Sequence, residues 1–182
     1  MKQSGATLLE LMVVLAVSAI LLGIGIPGLT ALSSSSRLVS ATNELVSSLH
    51  LARSEAIKRN SRVVMCKSAT GTSCAASGGW HQGWLVFHDP NNNAALDANE
   101  TVILARPFFP GGINLNGNQW IARYISYTPS GATRMVSGVL QVGTLTVCNV
   151  SASSGTAREI IISSTGRPRT VKVVLASCPL TP

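Results

Sequence analysis

Residues 6–29, ATLLELMVVLAVSAILLGIGIPGL, contain one ionisable side chain, Glu10, followed by nineteen residues without a charge. A helix needs roughly 20 apolar residues to cross the hydrocarbon core of a bilayer, so this run reads as a membrane-spanning helix. Ahead of it stands only MKQSG, with one positive charge at Lys2. A secretory signal has an apolar stretch of roughly 7–15 residues and a small-residue cleavage site behind it. Here the stretch is longer, and GLTALSSSS supplies no A-x-A site. The competing reading is a cut before the stretch, after Gly5, so that the mature chain starts at Ala6 and keeps its helix. A carboxylate at the lip of such a helix is costly unless neutralised, which makes Glu10 a functional candidate. Thr7-x-x-Glu10 is also a capping box, able to satisfy two orphan amides at a helix start. Gly23, Gly25, Pro27 and Gly28 predict a bend or a melted turn midway.

This arrangement resembles the class III leader of type IV pilins and type II secretion pseudopilins. That leader is cut at a Gly, with Glu at the fifth mature position and often Pro near the twenty-second. A cut after Gly5 puts Glu10 and Pro27 at those positions; Ala6 departs from the usual Phe. The resemblance implies a prepilin peptidase as processing partner, N-methylation of Ala6, and pairing of Glu10 with the N-terminal amine of a neighbouring subunit during filament assembly.

Beyond the anchor, about 145 residues suffice for one domain. Fourteen basic residues against seven acidic ones give a net charge of +7. The excess is uneven. From residue 123 onward Arg123, Arg134, Arg158, Arg167, Arg169 and Lys172 face only Glu159, whereas Asp89, Asp97 and Glu100 share one loop. A basic half suggests a polyanion-facing surface. Cys66, Cys74, Cys148 and Cys178 lack zinc-site spacing and allow three disulfide pairings. Cys66–Cys74 with Cys148–Cys178 is the favoured set, closing one small loop and tying down the C-terminal tail in an oxidising compartment.

Leu38, Ala41, Leu45, Leu49, Ala52 and Ile57 recur mostly at three- and four-residue steps, which predicts an amphipathic continuation of the helix over 33–60, with SSSS at 33–36 as a joint and the end near Arg59-Asn60. The period then changes to two. Strands are expected at 62–67, 84–88, 101–105, 124–128, 139–149, 159–163 and 170–176. The expected organisation is a leader (1–5), a transmembrane helix (6–32), its amphipathic continuation (33–60) and a β-rich periplasmic domain (61–182). This is an α+β architecture, one long N-terminal helix packed on antiparallel sheet, as in the type IV pilin fold.

Within the pilin-like group, three segments resemble the GspH/FimT family: Cys66-Lys67-Ser68 with Trp80-His81-Gln82-Gly83-Trp84-Leu85-Val86-Phe87, Tyr127-Thr128-Pro129-Ser130-Gly131 with Arg134, and the final hairpin through Gly166-Arg167-Pro168-Arg169. GspH-type members are minor pseudopilins of type II secretion; FimT-type members are minor pilins of type IV pili. Some FimT proteins bind DNA in natural transformation, and residues 166–169 are similar to their C-terminal GRxR motif. The chemistry fits. Gly166 permits a tight turn, Pro168 biases Arg167 to extended backbone, and residues two apart then face one side. Paired guanidinium forks suit phosphate oxygens. Arg158 and Lys172 are expected to extend this strip, with Arg134 a weaker member. A pair of arginines at a hairpin tip is equally what a solvated turn looks like. The family context and the local excess of charge favour DNA.

Trp80, Trp84 and Trp120 read as core or loop anchors, not as a stacking platform for single strands. Binding to double-stranded DNA is therefore expected through the backbone, indifferent to sequence and steeply salt dependent. Asp89, Asn91, Asn93, Asp97 and Glu100 sit at calcium-loop spacing, but Ala94 stands where that loop wants Gly and a strand precedes it, so no metal is assigned. His50, His81 and His88 are scattered and compose no catalytic set. No enzyme activity and no cofactor are expected. The reading is a minor pilin held in the inner membrane before assembly with other pilins and later displayed on the pilus at the cell surface, offering a basic hairpin to DNA; the alternative is a GspH-like secretion pseudopilin without a DNA role.

Overall fold

The computed structural model describes residues 7–108, 112–118, 120–150 and 155–179, with the side chains of 24–31 outside the description. Gly5 and Ala6, the processing positions, also lie outside it. Helix α1 (Leu8–Arg59) precedes strands β1 (Val63–Lys67), β2 (Trp84–His88), β3 (Val102–Arg106), β4 (Ile113–Gly117), β5 (Tyr124–Tyr127), β6 (Gly143–Asn149), β7 (Gly155–Ile162) and β8 (Pro168–Leu175). The chain divides into two compact units, Met1–Ser36 and Arg37–Pro182.

The first unit is helical from Leu8. The Thr7 hydroxyl accepts the Glu10 backbone N–H at 3.3 Å, one half of the capping box. Leu11, Met12, Val14, Leu15, Ile20, Leu21 and Leu22 are all exposed. Among the described residues no helix is long and apolar enough to cross a membrane. The backbone stays helical through Gly23–Gly28 and through the four serines, so no turn melts where the sequence predicts one. Pro27 withdraws a single donor and its fixed φ is itself helical, which leaves the neighbouring bonds to carry the turn.

In the second unit the helix buries Leu38, Ala41, Leu45, Leu49, Ala52 and Ala56. Ala56 takes the place expected for Ile57, because a step of four from Ala52 keeps the stripe in line; Ile57 is exposed. The helix closes in a Schellman cap. Asn60 adopts φ 48°, its N–H donates to Ile57 O, and the Ser61 N–H reaches back to Ala56 O.

Two four-stranded antiparallel sheets follow, ordered β3-β2-β1-β5 and β4-β6-β7-β8. Both contribute to one core with the helix: Val63, Met65, Trp84, Val86, Ile125 and Tyr127 from the first, Leu115, Leu145, Val147, Ile160 and Ile162 from the second. Trp84 Nε1 donates to Ser48 Oγ, and Trp80 Nε1 to Ile121 O, so both indoles bury without losing a partner. The reverse face of the first sheet buries Val64, Cys66, Leu85 and Phe87 beneath Cys74, Ala94 and Leu96. Strand β4, INLNG, is not among the expected strands. Conversely, residues 139–142 contribute only an isolated bridge, Arg134 with Leu140. There the backbone turns away, and the buried Gln141 instead binds the Ser126 N–H and the carbonyls of Trp120 and Tyr124.

Both favoured disulfides form, Cys66–Cys74 and Cys148–Cys178, 8 and 30 residues apart. The loop-entropy model assigns them about 2.6 and 3.7 kcal/mol respectively. Calorimetry of the single-pair mutants is accordingly expected to show the larger loss of melting temperature for Cys148→Ser/Cys178→Ser, with equal losses contradicting that account.

Candidate nucleic-acid interface

The basic motif lies at the β7–β8 turn. Ile162 and Pro168 form the last strand pair, leaving residues 163–167 as the loop. Gly166 N–H donates to Ser163 O, closing a tight turn. Gly166 is buried at φ +74°, and a Cβ there would strike the Gly131 carbonyl and come 3.0 Å from the Tyr127 ring. The Thr133 N–H donates to Ser164 O, and its hydroxyl, bound to Gln141 O at 2.6 Å, also lies 3.1 Å from Ser163 O. The loop is thus seated on the 127–133 turn, and seating Gly166 inward leaves Arg167 and Arg169 exposed on either side of a half-buried Pro168. This is the alternation that extended backbone imposes.

The remaining cations divide. Register pairs Arg158 with Lys172, and Arg169 with Ile161. Lys172 is three positions on from Arg169, an odd step, so the pleat points them to opposite faces, and the strip expected from sequence is split. Lys172 is exposed, whereas the Arg158 Nε is buried without a hydrogen-bond partner. Arg134 donates to Gly138 O at 2.9 Å, which commits its guanidinium to its own turn. Glu159 shares the face of Arg169 one diagonal away and offsets part of its charge.

Arg53 joins from the helix. A Cβ on Gly131, itself at φ +76°, would come within 2.9 Å of Arg53 Nε and of Ile57 Cδ1. Gly131 in turn touches Gly166, so a third guanidinium stands behind the turn. Sequence reasoning passed it over because a charge between apolar helix positions looks like a solvated face. Tyr127 is buried beside it with no partner for its hydroxyl, and that burial pushes the phenol well above its ordinary pKa. The turn gathers three guanidinium groups.

The acidic loop is laced by its own hydrogen bonds. Asp89 is buried, and its two carboxylate oxygens accept the N–H groups of Asn93 and Ala94. Asn91 and Asn93 each donate their amide to Asp97 Oδ2. Desolvation, with Asp89 and Asp97 nearby, raises the Glu100 pKa above the usual 4.5. Among the described residues no group of three His, Cys, Asp or Glu side chains converges as a metal site. Ala94 and Leu96 pack over the first sheet, which makes the loop a cover for it. His50 is exposed on the helix. His88 Nε2 meets Ser61 Oγ at 2.8 Å. Trp80 and Trp84 are buried, and Trp120 is half-exposed in a loop.

Residues 41–166 match the family model for the type II transport protein GspH, and residues 1–26 match the prokaryotic N-terminal methylation motif. The chain belongs to the GspH family. This GspH-family protein is 29% identical over 175 residues to the pilin-like protein PilA1 of Thermus thermophilus, covering 93% of this chain and 99% of that one. Two crystal structures of the type IV minor pilin FimU of Pseudomonas aeruginosa superpose with TM-scores of 0.56 and 0.55. They are 19% and 17% identical and cover 78% and 81% of this chain and 100% and 99% of theirs. At that identity the likeness carries the fold, which is the α+β pilin fold. Pilins and pseudopilins are structural proteins of filaments and not enzymes.

Proposed function

We propose that this GspH-family protein is a minor type IV pilin that assembles into a pilus and binds double-stranded DNA, without regard to sequence, through residues 166–169. The observation that carries the reading is the seating of Gly166 against Gly131, which holds Arg167 and Arg169 outward on a turn backed by Arg53. Guanidinium groups so placed suit phosphate oxygens, and no element of the hairpin is shaped to enter a groove and read base edges. The leader motif supports processing after Gly5, N-methylation of Ala6, and insertion in the inner membrane until Glu10 docks on a neighbouring subunit. An apolar helix with side chains exposed all round favours lipid or other pilins as its surroundings. Each subunit supplies few contacts, so binding by one copy is weak, and copies in a filament add through multivalency.

The experiment is fluorescence anisotropy of labelled duplexes of unrelated sequence, titrated with the full chain in neutral detergent micelles. Equal affinities within about threefold are expected, since phosphate contacts carry no base information. No binding at low salt contradicts the DNA reading and leaves the secretion pseudopilin, whose family model spans residues 41–166.

A further inference from the structure

A second cationic locus lies at the far end of β5 from the GRPR turn. Where β1 ends and β5 begins, a cavity of about 380 Å³ opens, lined by Lys67, Gly78, Trp80, Asn116, Arg123 and Pro179 among others. This volume falls in the range of roughly 300–1,000 Å³ occupied by small-ligand sites.

Its chemistry is one-sided. Lys67 is only 5% exposed, and its ammonium donates a single bond, to Gly78 O at 2.7 Å. The Lys67 N–H donates to Arg123 O, which sets the two cations side by side at the end of the sheet. No carboxylate lines the cavity among the described residues. Burial and the neighbouring Arg123 both push the Lys67 pKa down, as expected of a cation lacking a counter-charge. Ser77 and Asn116 add uncharged polar groups to the wall. The Asn116 amide donates to Pro179 O, and its Oδ1 is buried with no partner. Both disulfides brace the walls: Cys74 closes the loop leading to Gly78, and Cys178 precedes Pro179. A buried ammonium beside a guanidinium asks for an anion, and a partnerless acceptor asks for a donor.

We propose that this cavity binds a phosphate-class oxyanion carrying a hydroxyl, either hydrogenphosphate or the singly ionised form of a phosphate monoester. Lys67 and Arg123 take the charged oxygens, and the P–OH donates to Asn116 Oδ1. A carboxylate has no proton to donate there. An internal phosphodiester of DNA has none either, so this site is separate from the duplex-binding turn and stands whether or not that reading does. The cavity exceeds a bare phosphate, leaving room for the alcohol part of a monoester.

Isothermal calorimetry of the full chain in neutral detergent, at about pH 6 where a monoester keeps much of its P–OH, tests this with inorganic phosphate, ethyl phosphate and dimethyl phosphate as probes. Saturable binding of the first two is expected, with the diester at least about tenfold weaker. Tighter binding of ethyl phosphate would identify the monoester as the ligand source, and tighter inorganic phosphate the free ion. Lys67→Met is expected to weaken binding at least about tenfold. Because its loss also strands Gly78 O, the exposed Arg123→Gln serves as the second variant, with a similar loss at an unchanged melting temperature. Arg167→Gln/Arg169→Gln should leave phosphate affinity unaltered. No saturable heat, equal binding of the diester, undiminished binding in Arg123→Gln, or loss in the hairpin mutant would each overturn the proposal.

Discussion

Arg167→Gln/Arg169→Gln weakens duplex binding by about tenfold or more at low salt and shifts the melting temperature by less than about 2 °C. Both side chains are exposed and, among the described residues, hold no hydrogen bond that the fold depends on, so removing their charge leaves packing intact. Charge-assisted contacts to phosphate are each worth about 1.5–3 kcal/mol where fully formed, and two exposed ones at half that value already exceed tenfold. Lys172→Gln is the informative companion. It lies on the opposite pleat face from Arg169, and its loss is expected to cost little by comparison. Electrophoretic mobility shift beside thermal melting reads both quantities. An equal loss in Lys172→Gln means DNA lies across the β8 edge and not on the turn.

Gly166→Val is expected to be the more destructive change. A left-handed φ of +74° costs an L-residue about 1–2 kcal/mol, and more with a branched Cβ. The added atoms also meet a backbone carbonyl, Gly131 O, which cannot swing aside as a side-chain end can. Overpacking of that kind adds about 1–3 kcal/mol. The sum of roughly 3 kcal/mol corresponds to a fall of about 6–12 °C in melting temperature for a domain of this size. DNA binding falls with it, because the loop loses its seat on the 127–133 turn. Thermal unfolding followed by circular dichroism is the measurement. A variant with unaltered melting and reduced binding would show that Gly166 serves the ligand and not the turn.

The difference between these two predictions reflects what a sequence discloses. The helix was legible to its last residue because Leu38, Ala41, Leu45 and Leu49 mark one stripe and Asn60 is a natural left-handed cap. Strand β2 was legible from WLVFH between a Gly and an Asp. Strand β4 was not: its outward positions are Asn114 and Asn116, residues that ordinarily speak for a turn, and here they hold the carbonyl of Pro179 in the tail. The arginines of the turn could be named from local pattern. The contacts that orient them could not, since Gly131 and Arg53 lie 35 and 113 positions from Gly166 along the chain. Pleat parity likewise separated Lys172 from Arg169, a distinction that needs the β7–β8 register.

The central claim is that this turn meets DNA through phosphates, and the most direct measurement is the salt dependence of duplex affinity for the full chain, Arg167→Gln, Arg169→Gln and the double mutant. Each phosphate contact contributes about −0.9 to the slope of log affinity against log salt. The account predicts that each single substitution flattens the slope by about 0.9 and the pair by about 1.8. A slope that stays the same in all three variants would contradict it, whatever the affinity.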